Sequence, residues 1–508
     1  MIFGFWQGHE IKAVAVATIM DYLGWLKLPD PPAAGTPTVA PVGALAGFRD
    51  EFYRCLLRRA DALFELTDAV LCSGGPVTSL VELSLTAEHR RGHGSLYDAL
   101  NAGRVDVARL RVALAALPLP RAADGRIMLA VDVSNWLRPD AATSGDRLFC
   151  HVHGRGKSAA QMIPGWPYSF VAALEPGRTS WTQILDAQRL GPTDDATAVT
   201  ADQLRQVVDR LIGAGHWHPG DPDILIVADA GYDTTRLAYV LSDLPVILIG
   251  RIRADRVLRL PTPTRTPGMI GRPRKHGGEF TLADPHTWPT PQHVTTTATT
   301  RYGRAEARSW NRLHPRLTRR TCWLDHTGDL PVIEGTLIRL QVEHLPGDRS
   351  PKPVWLWCSA VGAAAEDVDR WWQTFLRRFD LEHTFRLFKQ TLGWTRPKIR
   401  TPQAADRWTW LIITAHTQLR LARSLAIDLR RPWERPTPAG RLTPARVRRG
   451  FRNIRATSTR PAAAPKPTRP GPGRPPGSRN QRPATSQDVG KTVKRDLTVT
   501  AHKQRKGG

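Results

Sequence analysis

The chain has 508 residues, 41% of them hydrophobic, which allows about three domains of roughly 150 residues and a substantial buried core. A wholly disordered chain and a disulfide-stapled miniprotein are thereby excluded. With 72 Lys and Arg against 46 Asp and Glu, the formal net charge is +26, so the chain attracts polyanions and nucleic acid is the first partner to consider.

At the front, residues 1–44 form a leader and a Pro/Ala/Thr-rich linker from Pro29 to Pro41, with no role legible in their pattern. The leader's apolar run, Ala13 to Met20, is flanked by Lys12 and Asp21, and no window of eighteen uncharged apolar residues occurs. Neither a membrane span nor a cleaved signal is expected. The five cysteines, Cys55, Cys72, Cys150, Cys322 and Cys358, lie far apart without a C-x-x-C pair. An odd, dispersed set fits buried thiols in a reducing cytoplasm.

Between Leu45 and Leu117, stretches such as FRDEFYRCLLRRADALFELTDAVL place apolar residues three and four apart with charges between them, which predicts a helical N-terminal domain over 45–122. Its segment HRRGHGSLYDALNAGRVD carries a Gly-containing turn and several Arg, suiting DNA contact and a solvated basic bundle about equally. From Arg126 the texture changes to short apolar runs, IMLAVDV, LFCHVHG and YSFVAAL, then a helical stretch from Ala201 to Ile212, then DILIVADAG and LPVILIG. The last two read as fully buried strands, and strands alternating with helices predict an α/β sheet domain over 123–430. A Pro/Thr/Arg-rich stretch and further strand-like segments at about 251–360 read as an insertion into that sheet, followed by a helical block from Glu366 to Leu429. No internal repeat is apparent. The end of the chain, 431–508, is rich in Pro and Gly, and residues 441–508 carry eighteen Lys or Arg against Asp488 and Asp496 alone. Such a composition cannot bury enough apolar surface to offset chain entropy, so a disordered basic tail is expected.

Three acids stand out by position. Asp132 interrupts the apolar strand IMLAVDVSNW, where a carboxylate must be paired, hydrogen-bonded or bound to a cation; a structural Asp would look the same. Asp229 ends the apolar run DILIVA, at the carboxyl end of a strand where open α/β sheets place ligands, although a helix N-cap would also sit there. Glu382 lies in FLRRFDLEHTFRLFKQTLGW. On a helix, Phe375, Arg378, Glu382, Arg386 and Lys389 fall within roughly 80° of one face. A solvated salt-bridge stripe is the usual origin of such a face; the apolar residues around it favour a stripe turned into a cleft. Two Asp and one Glu supply only oxygen ligands, the donor set suited to Mg²⁺ or Mn²⁺, and two such ions support in-line phosphoryl displacement. Arg378 and Lys389 would hold the phosphates of a DNA strand.

The order AVDVSNWLRPD, VADAGYD and F-x-x-R-x-x-x-E-x-x-x-x-x-x-K resembles the bacterial insertion-sequence transposases of the DDE superfamily, in the group with a Tyr-Arg-Glu-Lys signature around the last acid. The resemblance covers roughly residues 45–430. It implies an RNase H-like mixed sheet flanked by helices, with Asp132 on the first strand, Asp229 just after the fourth and Glu382 on a later helix. It also implies a β-rich insertion between the second and third acids, a bound pair of Mg²⁺ or Mn²⁺ ions, and a homodimer acting on paired DNA ends in the bacterial cytoplasm, at the nucleoid. Arg378, Glu382 and Lys389 match the signature; its Tyr position is Phe375.

Two basic motifs, GRPRKHG with Arg272, Arg274 and Lys275, and PGRPPG with Arg474, contain the Gly-Arg-Pro core of an AT-hook, in which an extended Arg enters a narrow minor groove. In an Arg- and Pro-rich chain such tripeptides arise by composition, and nonspecific phosphate attraction by the tail is the preferred account. Trp136, four residues past Asp132, offers either a base-stacking surface or core packing. His151 and His153 alternate on one strand but lack a third ligand nearby in sequence. No G-x-x-x-x-G-K-[ST] motif is present, so nucleotide hydrolysis is not expected. The competing readings are a nuclease of the same fold without strand transfer, and a DNA-binding protein that has lost catalysis.

Overall fold

The uninterrupted apolar runs become the centre of one sheet, because strands covered on both faces need no polar alternation. The computed structural model describes residues 41–152, 161–177, 179–264, 270–271, 273–299, 303–320, 323, 326–344, 351–438, 440–458, 460–466, 477 and 484–490. The leader, His153, Cys322, Arg272 and Arg474 lie outside the described residues.

Helices α1 (Pro41–Arg54), α2 (Ala60–Cys72), α3 (Leu80–Ser84), α4 (Gly94–Ala102) and α5 (Val107–Ala115) come first, with a two-stranded antiparallel ladder of β1 (Leu56–Arg58) and β2 (Arg104–Val105) between them. The helical periodicity read between Leu45 and Leu117 is thus realised. Then follow β3 (Met128–Leu137), β4 (Leu148–Val152), β5 (Gln161–Leu174), β6 (Thr182–Arg189), α6 (Ala196–Gly213), β7 (Ile224–Ala228), α7 (Thr234–Val240) and β8 (Val246–Ile252). Strand β5 pairs antiparallel with β3, β4 and β6, whereas β7 runs parallel to both β3 and β8. This is the mixed RNase H-like order, with β3 central. Asp195 caps α6 by accepting from the amides of Thr197 and Ala198, and Leu204, Val208 and Leu211 of that helix pack with Leu129, Val131 and Ile226 on one face of the sheet.

Past β8 come β9 (Val257–Arg259) and β10 (Glu279–Thr281), a small ladder of their own, and then β11 (His293–Thr299), β12 (Gly303–Leu313), β13 (Gly335–Val342) and β14 (Val354–Cys358). Strand β14 hydrogen-bonds antiparallel to β8, so β14 to β11 prolong the same sheet to ten strands. The expected insertion is β-rich and continuous with the sheet. Its own core gathers Phe280, Trp310, Trp355 and Trp357.

The other face of the sheet is covered by α8 (Ala365–Arg377), α9 (Phe379–Gln390) and α10 (Pro402–Leu421). Helix α10 is apolar around most of its circumference because it lies between the sheet and the N-terminal helices: Trp408 and Ile412 share one core with Phe48, Leu63 and Leu66. Buried Arg49 joins these parts, donating to Asp68 and, at 2.5 Å, to Gln418 of α10.

Two expectations are corrected. Phe375 does not share a helix with Glu382, since the chain turns at Arg378 between α8 and α9. The basic tail does not start as disordered chain: α11 (Pro444–Ala456) docks on α2 with Val447, Phe451 and Ile454 buried. Its buried Arg448 donates to the carbonyls of Val70 and Gly75 and to Ser73 Oγ. Pattern reading treated these arginines as solvated charge, whereas all five on the helix answer backbone carbonyls or acids, as with Arg455 on Asp68 at 2.7 Å. Further on, the amide of Gly490 donates to Arg147 O, beside β4.

Candidate active site

Register alone brings the first two acids together. Val131 of β3 lies opposite Ala228 of β7 in the parallel ladder, so Asp132 and Asp229, one residue further on, stand side by side, about 4.8 Å of strand spacing apart. Alternation sets their direction: Ala130 on β3 and Leu225 and Val227 on β7 belong to the core beneath α8 to α10, and Asp132 and Asp229 continue those two rows.

The third acid arrives from above. Helix α9 begins where the chain turns at Arg378, placing Glu382 in its first turn and Arg378 against the sheet with only 1% of its surface exposed. The Arg378 guanidinium donates to Asp132 Oδ2 with one nitrogen and to Glu382 Oε1 at 3.0 Å with the other. Burial pulls the Arg378 pKa down, but the Asp132, Asp229 and Glu382 carboxylates outweigh it and hold the group firmly charged. Burial pushes Glu382 up to about 7; Arg378 opposes the shift, and the charges of Asp132 and Asp229 add to it. The three acids therefore act on one another and on one guanidinium.

These carboxylates fit a divalent ion in donor type and in placement, being hard oxygens from three separate elements. Among the described residues, however, no three His, Cys, Asp or Glu side chains form a ready-made ligand cluster. Arg378 bridges two of the acids and supplies the positive charge that a cation would bring.

Lys389 lies two turns along α9 from Glu382, half-buried, with Nζ 5.7 Å from the centre of the Trp394 ring. Burial pushes its ammonium down to about 8, while Cys150 and Asp132 oppose that shift. Arg386 is exposed on the same helix. Phe375, at the signature Tyr position, is fully buried in the core. Trp136 is also core, edge-on to Trp166 at 5.8 Å and near Trp394 at 6.1 Å, and its exposure of 0% leaves no surface for a base. In the first Gly-Arg-Pro segment, Arg274 is exposed while Lys275 donates to Leu330 O and His276 meets His314 at 2.9 Å. That segment is tied into the insertion, and no hydrogen bond or ion pair joins Arg274 or Lys275 to the acids among the described residues.

Sequence reasoning passed over Arg251. It directly follows Gly250, which lies opposite Ala228, so it stands level with Asp229 on the next strand. Nothing local distinguishes it in RIRADRVLRL; only the register does.

The sequence model of the family described as DDE superfamily endonuclease matches residues 51–316, which include Asp132 and Asp229 and stop short of Glu382. No curated protein matches the chain. Among the described residues, no helix is long and apolar enough to cross a membrane. With over half of its length matched, and with an RNase H-like sheet carrying adjacent acids where the ladder of its central parallel strands ends, the chain belongs to the DDE superfamily endonuclease family.

Proposed function

We propose that the protein is a metal-dependent DNA transposase that cleaves DNA at the ends of an insertion sequence and joins the freed 3′ end to target DNA. The observation that carries this reading is the meeting of Asp132, Asp229 and Glu382, from two strands and a helix, around Arg378.

Asp132, Asp229 and Glu382 would hold two divalent ions, Mg²⁺ or Mn²⁺, which when bound lower the pKa of an attacking oxygen and stabilise the leaving one. The rest falls to the chain. Asp132 and Asp229 stay fixed because adjacent parallel strands fix them. Glu382 approaches on a helix whose apolar residues Leu381, Phe385 and Phe388 are anchored in the core. Arg378 neutralises the acids until phosphate arrives, and Lys389 and Arg386 hold the backbone of the bound strand. Water attacks the phosphodiester to release a 3′ hydroxyl, and that hydroxyl then displaces a bridging oxygen of target DNA by transesterification. The helical segment 45–122 and the basic residues Arg272, Arg274, Lys275 and Arg474 would grip the terminal repeats, with two copies of the chain on paired ends.

The test is an end-cleavage assay on duplexes copied from the inverted repeats flanking the coding region, with Mg²⁺, with EDTA and with Glu382→Gln. The variant should bind DNA as the wild type does and cut at background level. Cleavage that survives Glu382→Gln would remove this active site from consideration. Joining of the labelled 3′ end to a second duplex separates the transposase from a nuclease that only hydrolyses.

A further inference from the structure

The two guanidiniums at the site are in opposite situations. Arg378 is consumed by Asp132 and Glu382. Arg251 has neither a side-chain hydrogen bond nor an ion pair among the described residues, although it is half-buried. A partly desolvated, unpaired guanidinium is costly to keep unless something else satisfies it.

Its position indicates what that is. The register Val131–Ala228–Gly250 runs across β3, β7 and β8. The next residue on each strand is charged: Asp132, Asp229, Arg251. On β8, Ile249 belongs to the same core as Ala130 and Val227, so by alternation Arg251 points to the face that carries the acids. The three form one row beneath α8 and α9. The place of Arg251 is held from behind, since a Cβ at Gly250 would fall on Thr234 Oγ1 of α7; β8 thereby lies flush against that helix. Electrostatics agrees: burial pulls the pKa of Arg251 down, the charge of Asp229 opposes it, and Arg378 adds to it.

We propose that Arg251 is a substrate-contacting residue that grips, through its planar fork, the phosphate next to the scissile one on the strand being cut. Asp132 and Asp229, with the ions they would hold, would fix the scissile phosphate, and one strand further along, about 4.8 Å away, the guanidinium meets its neighbour. A forked pair of N–H donors suits two non-bridging phosphate oxygens, and the low-dielectric sheet face strengthens the contact. The proposal rests on the DNA-cleaving reading above and adds a further charged group to it.

The experiment is single-turnover cleavage of end duplexes carrying one neutral methylphosphonate, scanned through the phosphates flanking the cut, by wild type, Arg251→Met and Arg251→Lys. On the unmodified duplex Arg251→Met should be slower by about 10²-fold, and Arg251→Lys should recover about tenfold of that. At one flanking position the methylphosphonate should slow the wild type to a similar degree and leave Arg251→Met unaffected, because the contact is already gone. Losses that multiply at every position would mean that Arg251 supports the fold only, and overturn the proposal. So would wild-type cleavage by Arg251→Met. If Arg251→Met does not fold, as read by its melting curve, Arg251→Gln takes its place. Failure of the underlying reading looks different: the wild type would not cut with Mg²⁺, or Glu382→Gln would.

Discussion

Arg378 and Glu382 lie one helical turn apart with a shared hydrogen bond, yet burial leaves the carboxyl with a proton affinity unusual for glutamate. In the absence of metal this has a consequence for stability. The folded pKa, about 7, lies above the ordinary 4.5, so the folded protein keeps a proton that the unfolded chain releases between those values. The stabilisation is fully present below about pH 4.5 and is lost as pH rises through 7. Asp380, pushed up to about 7 by burial against its ion pair with Arg377, acts in the same direction. In EDTA, wild-type stability to urea should fall from pH 5 to pH 8 by on the order of 2 kcal/mol more than that of Glu382→Gln. Parallel declines in the two proteins would show that Glu382 titrates normally. At this scale the sequence made Asp132, Asp229 and Glu382 conspicuous because acids in apolar surroundings need a reason. It could not show which guanidinium meets them, since Arg is abundant throughout the chain.

Among the elements, the parallel strands were the most legible, because ILIVA and VILIG admit few other structures. The turn at Arg378 was not, as FLRRFDLEHTFRLFK reads as one continuous helix and only packing on the sheet breaks it into two. Helix α11 was hidden by its composition. Its arginines look solvated in sequence, but Arg448 and Arg455 answer groups on and just beyond α2, nearly four hundred residues earlier. Phe451 is fully buried there. Replacing Phe451 by Ala should cost about 3 to 5 kcal/mol in urea unfolding. A loss below 1 kcal/mol would mean that α11 is not part of the folded unit.

The charge of +26 is a property of the whole molecule, and it governs nonspecific affinity rather than chemistry. Deleting residues 491–508 removes six Lys or Arg and leaves the contact of Gly490 with Arg147 in place. Binding to unrelated duplex DNA should weaken, and the slope of log affinity against log salt should become shallower by up to about 5. An unchanged slope would show that this segment does not neutralise phosphates. Composition and periodicity by themselves determined the basic character, the alternation of strands and helices and the order of the three acids, because these depend on neighbours in the chain. The tertiary structure alone decided that β14 extends the sheet, that α11 closes over α2, and that Arg251 joins the row of Asp132 and Asp229. Those relations link residues from about twenty to nearly four hundred positions apart. Their energies come from register and desolvation across the fold, which no local window of sequence contains.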